Sequence, residues 1–233
     1  MNALIILGLL VVLMLTGMPI SISLGLTVLS FLFFLTEVPI ESVALKLFTG
    51  IEKFEIMAIP FFILAGNFLT HGGVAKRMIG FATSMVGHWH GGLGLGGVVA
   101  CALFAAVSGS SPATVVAIGS ILLPAMVKAG FPKSFGAGVI TTSGALGILI
   151  PPSIVMVMYS VSTNTSVGAL FMAGVIPGLL LAFFLGLTTW YRAKKNNYPC
   201  QPKATWAERW VAFRKAIWGL LLIVVVMGGI YSG

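Results

Sequence analysis

The chain has 233 residues, of which 58% are hydrophobic and only 8% charged, with a mean hydropathy of +1.10. These values exclude an ordinary soluble domain and describe an integral membrane protein, and its successive apolar runs of helix-spanning length predict an all-α, polytopic fold. The net charge of +8 does not indicate nucleic-acid binding, because the 13 basic residues are scattered among apolar segments and form no single solvated face.

At the amino terminus, Ala3 to Leu35 is too long for a secretory h-region and has no cleavage site, so it is expected to remain in the chain. Gly17-Met18-Pro19 sits in its middle, which predicts one long, tilted or kinked crossing. Val38 to Glu55 mixes apolar and charged residues and suits a helix lying at the interface. Ile56 to Leu69 is a second crossing, and Val74 to Val86 repeats the interfacial pattern. Gly91 to Val107 and Ala113 to Val127 are apolar arms, each on the short side for a full span. They flank Ser108-Gly109-Ser110-Ser111-Pro112 and predict a re-entrant hairpin.

The next span, Phe135 to Tyr159, is interrupted by Ser143-Gly144-Ala145-Leu146-Gly147-Ile148-Leu149-Ile150-Pro151-Pro152. A polar run from Ser160 to Ser166 follows, then a crossing from Val167 to Tyr191, a basic connection, and a last apolar helix over Ala216 to Ile230. With no second hairpin of this pattern in the sequence, the chain reads as the first half of a longer protein.

Charge orients the spans. With the amino terminus inside, Lys46 and Lys53 fall outside and the other 11 of the 13 basic residues fall inside. Under the positive-inside rule the amino terminus and the connection carrying Arg192, Lys194, Lys195 and Lys203 are expected to be cytoplasmic.

The two interruptions are the candidate site. Unpaired backbone groups cost several kcal/mol in hydrocarbon, so Gly, Ser and Pro cluster at membrane depth only where protein or a wet cavity receives the freed groups. Pro112 disfavours helical geometry at Ser111, and Gly109 permits positive φ. Hydroxyls of Ser108, Ser110 and Ser111 are left beside carbonyls freed by the turn and the start of the next helix. Pro151 and Pro152 remove two donors and free carbonyls around Gly147 and Ile148, with Ser143 and Gly144 opening the loosened region. No acid occurs between Glu55 and Glu208. Neutral oxygens suit Na+ better than a carboxylate proton relay. The expected Na+ residues are Ser108, Ser110, Ser111, Pro112, Ser143, Gly144, Gly147 and Pro151. For a solute they are Ser108, Gly109, Ser110, Thr163 and Asn164.

Other polar residues carry less. His71, His88 and His90 match no usual zinc spacing, and Cys101 and Cys200 have no metal-ligand partners. Gly91 to Gly97 lacks the Lys-Ser/Thr ending of a phosphate loop. No nucleophile, base and orienting group occur together, so an enzyme is not expected, and no organic cofactor is implied. A membrane scaffold that holds partner subunits is the alternative reading of the breaks.

Four segments resemble the large membrane subunit of tripartite ATP-independent periplasmic (TRAP) transporters. They are Ala58 to Gly66, Val107 to Val115, Ser143 to Ser153 and Ala173 to Gly178. The resemblance implies an ion-transporter elevator fold built of inverted repeats, of which this chain would supply one. Residues 1–90 would be scaffold helices with interfacial arms. Residues 91–166 would be part of the transport domain, with the hairpin over 91–127 and the broken helix over 133–160. Residues 167–233 would add a scaffold crossing, the basic connection and the start of the next helix. The resemblance further implies a sodium-coupled importer of an organic anion, such as a sialic acid or C4-dicarboxylate. Its partners would be a small membrane subunit, a periplasmic solute-binding protein and the bilayer of a bacterial inner membrane.

Overall fold

A computed structural model describes residues 2–36, 39, 45, 48–50 and 52–232. The expected interfacial helix over Val38 to Glu55 lies largely outside the described residues. Residues 1–53 and 54–233 form two compact units.

In the first unit, helices α1 (Asn2–Leu15) and α2 (Ile20–Leu35) pack against each other. Where the run's length and Gly17-Met18-Pro19 predict one tilted or kinked crossing, the structure has two helices separated at residues 16–19. Gly17 adopts φ 81°, a left-handed conformation that glycine takes without a Cβ penalty, and this ends α1 rather than bending it. Pro19 then precedes α2 with an extended backbone. At 1.5 Å per residue neither helix alone reaches the ~30 Å of a hydrocarbon core.

The second unit comprises α3 (Phe54–His71), α4 (Val74–Val86), α5 (Gly92–Ser108), α6 (Ser111–Lys128), α7 (Lys133–Gly144), α8 (Leu146–Leu149), α9 (Ile154–Thr163), α10 (Val167–Lys195) and α11 (Trp206–Ser232). Four of these, α3, α6, α10 and α11, are long and apolar enough to cross a membrane. The segment from α7 to α9, bent by 41° at its break, is long and apolar enough to make a fifth when taken as one span.

The core forms around α5, which is apolar or small on every face and therefore buried on most of them. Its Phe104 packs with Met78, Ile118, Leu122 and Met126, all fully buried. Helix α4 is amphipathic. Ala75, Met78, Ile79 and Ala82 recur at helical spacing on one face, which lies between α5 and α11.

Helix α11 begins ten residues before the apolar run at Ala216, because a capping box initiates it. The Thr205 amide donates to Glu208 Oε2 at 2.7 Å, and the Glu208 amide donates to Thr205 Oγ1 at 3.3 Å. Thr205→Ala is expected to lower stability by about 1 kcal/mol, seen as a lower thermal denaturation midpoint with assembly intact.

Candidate functional site

The two interruptions meet. The α5–α6 hairpin turns over two residues, Gly109 and Ser110. Gly109 takes φ 60°, and its amide closes α5 on the Ala105 carbonyl at 2.9 Å. Ser110 is extended, and its hydroxyl caps α6 by accepting from the Ala113 amide at 3.5 Å. Its carbonyl accepts from the Thr114 hydroxyl at 2.9 Å, and Ser108 Oγ lies 3.1 Å from Thr114 Oγ1. Ser108 and Thr114 are fully buried, whereas Pro112 is exposed. Ser110 and Thr114 therefore spend part of their bonding capacity on holding the turn.

The second interruption opens at the end of α7. Helix α7 runs through Ser143 and Gly144, and α8 adds a further turn to Leu149. Ala145 is the turn between α7 and α8, and the chain leaves helical geometry again over Ile150 to Ser153, where Pro151 and Pro152 withhold the donors that the carbonyls of Gly147 and Ile148 would otherwise receive. The Pro151–Pro152 peptide is cis.

One hydrogen bond joins the breaks: the Ile154 amide, at the start of α9, donates to the Gly109 carbonyl at 3.0 Å. Contact continues on either side of it. A Cβ built on Gly147 would lie 2.8 Å from the Ser111 amide nitrogen and 2.9 Å from the Ser110 carbonyl carbon. One built on Gly109 would lie 2.8 Å from the Pro152 carbonyl oxygen. Gly144 faces the Val115 side chain. The carboxyl ends of α5 and α8 and the amino ends of α6 and α9 thus converge on one place.

Two serine hydroxyls in or beside the second break are also notable. Ser143 Oγ and Ser153 Oγ are fully buried and lack a hydrogen-bond partner among the described residues. A buried hydroxyl without a partner costs about 1–3 kcal/mol, so such a group marks a place where a ligand or water completes the bonding. Ser153 also occupies the position before α9 where its side chain would ordinarily cap the helix, and it does not. Neither Ser153 nor Thr114 is among the site residues expected from the sequence. Their signals were a serine directly after the double proline and a threonine four residues after Ser110.

The residues foreseen at the far side do not join them. Thr163 and Asn164 are exposed at the other end of α9, nine residues and about 14 Å from Ile154. Asn164 takes φ 53° as the left-handed cap of that helix, and Thr163 Oγ1 lies 2.9 Å from Thr165 Oγ1. They form a helix terminus, away from the breaks.

Flanking helices clamp the joint through small residues. Gly66 of α3 packs on Ser108, its built Cβ being 3.5 Å from Ser108 Cβ. On α10, Gly174 abuts the Leu149 carbonyl oxygen at 2.7 Å and Gly178 abuts Ile150 Cγ1 at 2.9 Å, measured from built Cβ positions. The four segments that carried the sequence resemblance therefore come together around one pair of helix breaks.

The profile of the tripartite ATP-independent periplasmic transporter DctM component matches residues 7–233. The chain belongs to this family. It is 76% identical, over its whole length, to a C4-dicarboxylate TRAP transporter large permease protein of Rhodobacter capsulatus, covering 56% of that protein. A C4-dicarboxylate large permease of Vibrio cholerae is 54% identical over 94% of this chain and 49% of its own length. The 2,3-diketo-L-gulonate large permease of Escherichia coli K12 is 40% identical over 93% of this chain and 51% of its own. The chain spans about half the length of the curated relatives it matches. It is a multi-pass membrane protein of a transporter family, and its relatives are named as transporter permeases, not as enzymes.

Proposed function

We propose that this chain supplies one half of a sodium-coupled transport site, within a large TRAP permease that imports an organic anion of the C4-dicarboxylate class. The observation that carries the reading is the pair of buried hydroxyls, Ser143 and Ser153, without a partner among the described residues, beside a bonded pair of helix breaks. Neutral hydroxyls and freed carbonyls match a hard monovalent cation. They sit among opposed helix ends, the usual surroundings of coupling ions in discontinuous transporter helices. Ser111 supplies a further hydroxyl at the same joint.

The dicarboxylate class is supported by identity. Relatives named for C4-dicarboxylates stand at 76% and 54%, whereas one named for diketogulonate stands at 40%. In this reading a periplasmic solute-binding protein delivers the anion, and a small membrane subunit completes the complex. The bonded hairpin and broken helix travel as one body in an elevator movement, with the amino terminus in the cytoplasm of a bacterial cell.

Sodium-dependent succinate uptake by the full-length complex in proteoliposomes tests the reading. Ser143→Ala and Ser153→Ala should each raise the sodium concentration for half-maximal uptake at least about fivefold, a loss of ~1 kcal/mol. Copurification with the small subunit should be unaffected. Sodium curves identical to the parent protein in both variants would remove these hydroxyls from the site.

A further inference from the structure

A second polar feature lies away from the breaks, at the basic end of the membrane helices. Two adjoining cavities of about 360 and 250 Å³ run between α7 and α10 and share Ser134, Phe135 and Arg192 as lining. The larger extends along Thr188 to Thr142. The smaller opens past Asn196 and Tyr198.

Its outer wall is held in place by several contacts. The Asn196 side chain donates to the Arg192 carbonyl at 2.8 Å, and the Tyr198 amide donates to the Ala193 carbonyl at 2.9 Å. The Tyr198 ring meets the Phe135 and Phe131 rings edge-on, with centroids 4.8 and 5.4 Å apart.

The charge of this cleft is one-sided. Lys133, Arg192, Lys194 and Lys195 cluster at these helix ends, and the sequence has no acid between Glu55 and Glu208. Glu208 itself is engaged by Thr205. Arg192 is exposed and lies 25 residues along α10, about 37 Å from its start, at the basic end of a helix longer than a ~30 Å hydrocarbon core. A guanidinium there, with Ser134 and Tyr198 among the residues lining the same walls, matches the planar oxygens of a carboxylate or phosphate.

We infer that this cleft binds an oxyanion on Arg192, with Ser134 and Tyr198 as supporting donors. Two sources present such a group at this depth: the phosphate of an anionic phospholipid, and the carboxylate of a dicarboxylate on the cytoplasmic side. The inference is independent of the sodium reading, because it uses none of the residues at the breaks.

The full-length protein with its small subunit serves for the test, using phosphatidylglycerol retention by native mass spectrometry and succinate binding by calorimetry. Arg192→Gln should weaken one of the two at least tenfold, with Arg192→Lys intermediate because it keeps the charge and loses the fork. Because Arg192 is exposed, both variants should keep the parent thermal midpoint. Loss of phosphatidylglycerol alone identifies a headgroup site, and loss of succinate alone identifies a solute site. If Arg192→Gln matches the parent towards both anions, or if the parent binds neither, the inference is overturned.

Discussion

Gly147→Ala in the full-length permease is expected to reduce sodium-dependent uptake to background. Two effects of opposite sign act at this position. Alanine is favoured over glycine in a helix interior by about 1 kcal/mol, and Gly147 lies within α8. Against that, the added methyl would sit 2.8 Å from the Ser111 amide nitrogen and 2.9 Å from the Ser110 carbonyl carbon. Both are backbone atoms of a capped turn and cannot rotate away. Overpacking of this kind costs about 1–3 kcal/mol, so the collision wins, and relief requires the hairpin tip to separate from the broken helix. Gly80→Ala is the matched control. It lies within α4 with nothing within 4 Å of a built Cβ, so only the propensity gain remains and thermal stability should rise slightly. Uptake by Gly147→Ala at the parent level would mean that the contact between the breaks is not needed for transport.

The hairpin was legible in the sequence almost to the residue, because its signals are local. Ser-Gly-Ser-Ser-Pro offers a positive-φ residue, a cap and a helix-starting proline within five positions, and the structure uses Gly109, Ser110 and Pro112 in those roles. The first apolar run was not legible in the same way. A kink and a chain turn share the Gly-X-Pro signature, and only the φ of Gly17 distinguishes them. The start of α11 was obscured because Arg209, Arg214 and Lys215 lower the hydropathy of its first turns, although Thr205 and Glu208 at capping-box spacing announced it.

The site divides along the same line. Ser108, Ser111 and Ser143 stood out because each lies in or beside a visible break. Ser153 gains its importance only from the Ile154–Gly109 bond, which joins positions 45 residues apart and has no local signature. Thr163 and Asn164 stand at the other end of α9 from the joint. Their polarity suggested solute contact, but polarity at a helix end is equally what a left-handed cap requires, and Asn164 is that cap.

The other large effect is expected at Gly109, where conformation and contact act together. Its φ of 60° imposes a cost of about 1–2 kcal/mol on any residue with a Cβ. Its built Cβ also lies 2.8 Å from the Pro152 carbonyl oxygen, in the segment that leads to Ser153 and the bonded Ile154 amide. Gly130 isolates the first contribution. It has φ 89° in the α6–α7 turn, with nothing within 4 Å of a built Cβ. Gly130→Ala should therefore lower the thermal midpoint yet leave uptake and its sodium dependence at parent values. Gly109→Ala should lower the midpoint further and abolish uptake, because the methyl pushes apart the two backbone segments that hold Ser153 in place. The two variants measured together separate strain from disruption of the joint. If they lose the same stability and both transport normally, the Gly109–Pro152 approach does not hold the breaks together, and the two interruptions function as independent helix turns.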